Sequence, residues 1–181
     1  MEMRLFTSDS IWTMVHGIVL GGGAMLALFA ALFSLRALRV ADGTALTSDH
    51  PAPRELAWLM VGLAIVLWLT VIVGTCITFP PYRATPPEGL TDLSEYPRAL
   101  IRSSPSTAWL HSYAMETKEH VPWIAAMLAT AAAFIGVRYR STLLRDGHVR
   151  NLAMALLTIC FILVSYVSLL GVLVNKAAPL D

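Results

Sequence analysis

The chain has 181 residues, 56% hydrophobic and only 14% charged, with a formal net charge of +1. Soluble domains carry nearer one quarter charged residues, so a soluble reading is excluded, and the near-neutral balance excludes a basic field for nucleic acid. The charges are also bunched: Lys, Arg, Asp and Glu are all missing from 10–35, 56–82, 120–137 and 151–175.

Each of those stretches is near the ~20 residues a helix needs to cross ~30 Å of hydrocarbon. They predict an all-α integral membrane protein, a single membrane domain over 1–181. Its four transmembrane helices fall at about 11–35, 56–79, 121–138 and 151–175, in an up-down bundle. Residues 1–6 lack a basic n-region, and the apolar stretch behind them is too long for a signal peptide, so the first span is expected to be retained.

The loop after span one carries Arg36, Arg39 and Arg54, and the loop after span three carries Arg138, Arg140, Arg145 and Arg150. Short basic loops mark the inner face. The expected topology is N-out and C-out, in a bacterial inner (plasma) membrane, with an outer loop over 80–119. Seven of the ten prolines lie between Pro80 and Pro122, so most of that loop cannot be one regular element. The stretch 106–119 lacks Pro and Gly and sets Trp109, Leu110, Tyr113 and Ala114 on one face, which predicts a short interfacial helix. Pro122 is expected to kink or restart the chain into span three.

Cys76 and Cys160 differ in depth by roughly 15 Å of helix, too far for a disulfide. Neither begins the pentapeptide that attaches c-type haem. Nucleotide-binding loops and hydrolase or metalloprotease motifs are missing. No ionisable residue falls near the middle of a span, which argues against ion transport through the bundle.

The histidines carry the most information. His50 and His148 fall in the basic inner loops and read as solvated. His16 lies 20 residues before Arg36, and His120 lies 18 before Arg138, about 30 and 27 Å of helix. In an up-down bundle these two helices are parallel, so the imidazoles share one depth near the outer surface. Two imidazoles so arranged suit the axial ligation of one b-type haem iron. Gly17 and Gly21 beside His16 would admit a ring to the backbone, and the same glycines equally form a small-xxx-small packing motif. An ordinary structural role for both histidines stays open, as does a non-haem metal. The alternative metal ligands are His111, Met115 and Glu116, together with His120.

Around His120, Glu116 shares its helical face, and Glu119 shares a face with His111 and Met115. One reading is a quinone pocket in which Glu116 or Glu119 takes the proton while Tyr113 and Trp123 shape the walls. Lys118 reads as part of a solvated charged turn. Arg83, Arg98 and Arg102 could grip haem propionates.

On the four-span plan and the His16/His120 pair, the chain resembles the four- and five-helix cytochrome b subunits that anchor respiratory oxidoreductases. That resemblance implies haem held between helix histidines and exchange of electrons with quinone. Only one such histidine pair is present, where many of those subunits carry a second near the inner face. With about 40 residues in the outer loop, the chain is expected to act beside other membrane or outer-face subunits of a larger complex. Whether it is itself an enzyme stays open, and a haem-free accessory subunit is the competing expectation.

Overall fold

The computed structural model describes residues 7–40 and 52–178. The expectations for residues 1–6 and for His50 fall outside them. Four long apolar helices dominate: α1 (Ser8–Leu38), α2 (Pro53–Tyr82), α4 (Leu110–Arg138) and α6 (Gly147–Ala177). Two short helices, α3 (Pro97–Arg102) and α5 (Arg140–Arg145), sit in the connections. No strand occurs among the described residues.

Local chemistry sets the helix ends. Thr7 caps α1 through a reciprocal box: its hydroxyl accepts the Ser10 backbone N–H at 3.1 Å, and its own N–H donates to the Ser10 hydroxyl at 3.0 Å. At α6 the Asp146 carboxylate accepts the His148 N–H at 2.8 Å. In the outer loop the Asp92 carboxylate accepts the Ser94 N–H at 3.0 Å, which holds the carboxyl below its ordinary range.

The segment 106–119 is not a separate interfacial helix. From Leu110 it is the beginning of α4, which runs unbroken through Pro122 to Arg138. Proline lacks an N–H and so frees only the carbonyl four residues earlier. Near the end of a long apolar helix that single loss does not stop the chain.

Three of the long helices widen into π-helical turns: Val15–Gly21 in α1, Gly74–Thr78 in α2 and Leu110–Met115 in α4. All three lie toward the same end of the bundle. The α2 turn directly precedes Phe79-Pro80-Pro81-Tyr82, where two successive prolines would otherwise press on the preceding carbonyls.

The packing is antiparallel between chain neighbours. His16 of α1 meets Gly74 of α2, Gly136 of α4 meets Ala57 and Met60 of α2, and Lys118 of α4 meets Gly171 of α6. Around the bundle the order is α1, α2, α4, α6 and back to α1. Helices α1 and α4 are therefore diagonal.

The end of the bundle nearer α5 is filled solidly. There α4 presents Ala126, Ala129, Ala132 and Ala133 to Leu63, Met60 and Leu157 of its neighbours, all buried. Small residues allow the close backbone approach on which helix association in lipid depends. Gly136 is the tightest point: a Cβ there would lie 2.7 Å from Met60 Sδ and 3.5 Å from Ala57 Cα. Gly136→Leu is expected to destabilise the fold by about 1–3 kcal/mol through overpacking. Thermal unfolding in detergent measures this, and an unchanged Tm would refute it.

A second buried cluster closes the opposite end, where Tyr82, Ile101, Leu110, Ala114 and Met115 pack on Leu170 and Val174 of α6. Leu26, Phe33 and Trp58 point outward and are 65–74% exposed. An outer surface of that kind suits hydrocarbon rather than water. The protein is an integral, multi-pass membrane protein.

Candidate functional site

Between the two packed clusters the helices part around a cavity of about 920 Å³. That lies toward the upper end of the ~300–1,000 Å³ typical of small-molecule and cofactor sites. Its floor is Ala24, Leu67, Ala125 and Leu163, and its outer rim includes Phe79, Tyr82, Met115 and Ala178. The π-helical turns of α1 and α2 both border it. A π turn shifts the side chains that follow it to a new face, and such turns recur at functional sites.

His16 and His120 both line this cavity, from helices that are diagonal across it. Gly17, Gly21 and Trp123 line it as well. His120 Nδ1–H donates to the Glu116 carbonyl at 2.7 Å. Since a carbonyl only accepts, Nδ1 carries a proton, and Nε2 is the ring nitrogen turned away from the main chain. This is the arrangement that orients a metal-ligating imidazole.

His16 is fixed differently. Its ring lies on the bare backbone of Gly74, where a Cβ would come within 2.8 Å of Cε1. Its Nδ1 is buried without a hydrogen-bond partner. An orphaned buried nitrogen is unusual, and it is the kind of group that a ligand or an ordered water satisfies.

The remaining expected site residues divide. Glu119 lines the cavity, whereas Glu116 is exposed and contributes only its carbonyl, to His120. Tyr113 also lies outside the cavity and shares a short hydrogen bond with Tyr166 of α6. Arg83 is exposed and stacks on Phe79, with its guanidinium 5.4 Å from the ring centroid. None of Arg83, Arg98 and Arg102 lines the cavity. Of Tyr113, Glu116, Glu119 and Trp123, expected to share one pocket, only Glu119 and Trp123 line the cavity. Helical spacing alone had put Glu116 and His120 together, but the His120 ring turns back onto the main chain instead.

The alternative metal set is also dispersed. Met115 is buried at the cavity rim, Glu116 faces outward, and His111 Nδ1 pairs with the Tyr82 hydroxyl at 3.0 Å. Among the described residues no three His, Cys, Asp or Glu side chains cluster as metal ligands. Cys76 and Cys160 are free thiols, the first exposed and the second buried, with Cys160 Sγ 3.4 Å from the Ala125 carbonyl. His148 is exposed.

Other residues of the cavity were not among the candidate site residues of the sequence. Thr70, Thr75, Thr78, Ser168 and Asn175 give the wall scattered hydroxyls and an amide, and Lys118 and Lys176 give it two amines. Lys118 is not in a solvated turn. It is half-buried, with Nζ against Gly171. The isolated glycines Gly74 and Gly171, each in an otherwise bulky apolar span, were the available signal for these close approaches. Trp123 is held from behind: its ring meets Trp68 edge-on at 5.8 Å, and Trp68 Nε1 donates to the Thr130 hydroxyl at 3.0 Å.

Fold and site together define a four-helix integral membrane protein with a mostly apolar, imidazole-bearing cavity toward one end of the bundle. No protein-family model, curated protein or solved structure matches the chain.

Proposed function

We propose that this chain is a membrane electron-transfer subunit that holds one b-type haem in the cavity, with His16 and His120 as axial ligands. The observation that carries the reading is that two imidazoles from diagonal helices line one cavity of cofactor size. The donor set fits the group: His120 has an unencumbered Nε2, His16 has an unpartnered nitrogen, and Gly17, Gly21, Ala24 and Ala125 keep the walls open to a flat ring. A bound haem supplies a one-electron couple whose potential depends on its axial ligands and surroundings.

The chain's own residues then have definite tasks. The Glu116 carbonyl fixes the tautomer and direction of His120. The apolar floor excludes water. Trp123, braced by Trp68, shapes the edge where a quinone would approach. Glu119 is the carboxylate placed to take a proton from a quinol, because it lines the cavity and Glu116 does not.

In this reading the basic end carrying Arg138, Arg140 and Arg145 faces the cytoplasm of a bacterium. The cavity lies toward the outer face, and both termini are outside. A reporter active only outside the plasma membrane, fused after Asp181, is expected to be active. With so little of the chain outside the four helices, partner subunits supply or accept the electrons.

The test is a dithionite-reduced minus oxidised spectrum of the purified protein, with a pyridine haemochrome to count haem. A b-type α-band at one haem per chain is expected. A flat spectrum from well-folded protein would overturn the haem and leave an accessory subunit. In haem-loaded protein, Glu119→Gln is expected to slow quinol oxidation roughly a hundredfold and leave the spectrum intact. Glu116→Gln is expected to change neither. The reverse ranking would move the proton acceptor out of the cavity.

A further inference from the structure

The cavity holds a cation that the haem ligands leave without a role. Lys118 precedes His120 by two residues and reaches across to α6, where Nζ lies 3.3 Å from the point a Cβ on Gly171 would occupy. A larger residue at 171 would crowd the amine, so the glycine makes room for it. Lys118 lines the same cavity as His16. Among the described residues no carboxylate or other group pairs with it.

An amine that reaches into an apolar-walled cavity loses hydration that an anionic partner can replace. Among the described residues none makes an ion pair with Lys118, although Glu119, the next residue along, lines the same cavity. Asn175 and Lys176, just beyond Gly171 on α6, line the same cavity and add further donors. The arginines that the sequence offered for this task lie elsewhere.

We propose that Lys118 is the anion-binding residue of the cavity, pairing its amine with a carboxylate carried by the occupant. An occupant with an apolar body and a carboxylate matches the walls and the amine together. Two sources share that chemistry: a haem propionate, and a fatty acid from the bilayer. The inference builds on the cavity reading above only for the identity of the carboxylate's owner.

The experiment compares each acid with its ester. Full-length protein expressed without haem supply is titrated in detergent with haem b and with haem dimethyl ester, followed by absorbance. Oleate and methyl oleate are compared by native mass spectrometry. The wild type is expected to prefer one acid over its ester by roughly tenfold to hundredfold, the value of a charge-assisted hydrogen bond. K118Q should erase that preference while binding the ester normally, and K118R should retain it.

Preference for haem b over its dimethyl ester identifies the carboxylate as a propionate. If neither haem form binds but oleate is preferred in a Lys118-dependent way, the anion site stands and the haem reading fails. Equal binding of acid and ester by the wild type overturns the proposal, and that result needs no variant to fold. A preference that survives in K118Q overturns it too.

Discussion

His16→Ala and His120→Ala are each expected to abolish the low-spin b-type spectrum of the purified protein, and the double variant is expected to be no worse than either single one. Both side chains line one cavity from diagonal helices, so in the proposed haem reading they act on one group, and the loss of either would leave the iron without its paired ligation. Such residues are strongly non-additive. The two variants differ in what else they disturb. His16→Ala removes a ring that packs on the Gly74 backbone and leaves a hole. His120→Ala removes only a one-turn clasp onto the Glu116 carbonyl, so the fold should be less affected. Exogenous imidazole should refill the His16 hole and restore part of the spectrum. His148→Ala, on an exposed side chain of α6, is the matched control and should change nothing. A normal low-spin spectrum in both single variants would remove the ligand assignment.

The four helices were legible because hydrocarbon imposes one rule along the chain: a charge-free run of sufficient length becomes a helix. Their ends were less legible. The helices extend past the charge-free runs to Ser8, Pro53, Leu110 and Gly147 at their starts, since a charged residue ends a hydrophobic run without ending a helix. In α4 this mattered most. Glu116, Lys118 and Glu119 looked like a boundary between a surface helix and a span, and Pro122 reinforced that appearance. The backbone passes through all four.

The site was legible in one dimension and obscure in the other. Counting residues from the basic anchors placed His16 and His120 at one depth, because rise per residue is nearly constant. Which way each side chain turns depends on helical phase, and the π turns at Val15–Gly21 and Leu110–Met115 shift that phase. No residue pattern announces such turns. The turn at Leu110–Met115 separates Tyr113 from the phase of His120, whereas Glu116 keeps α-helical spacing to His120 and stays exposed while the imidazole turns back onto its carbonyl. Lys118 was obscured by the opposite effect: its position in a run of charges suggested solvent, and only the partner glycine on α6 reveals that it points inward.

Gly74 offers the sharpest test of how the site is held. A Cβ at this position would lie 2.8 Å from His16 Cε1, with 3.4 Å to Nε2 and 3.5 Å to Nδ1. The first distance is shorter than real side chains tolerate, so the imidazole must move if the glycine is replaced. Gly74→Ala alone is therefore expected to displace His16 and to remove or shift the low-spin spectrum, although neither histidine has been altered. Ordinarily Gly→Ala within a helix stabilises by roughly 0.5–1 kcal/mol, and Gly22 and Gly23, with nothing within 4 Å of their added Cβ, should show that gain in Tm and keep the spectrum. At Gly74 the gain is opposed by overpacking of about 1–3 kcal/mol, so Tm should fall. Helical content by circular dichroism separates a shifted ring from a broken fold. If Gly74→Ala kept both the wild-type spectrum and the wild-type Tm, the ring of His16 would not be resting on Gly74. The α1–α2 contact would then have to be one that leaves the imidazole free to reach the cavity by itself.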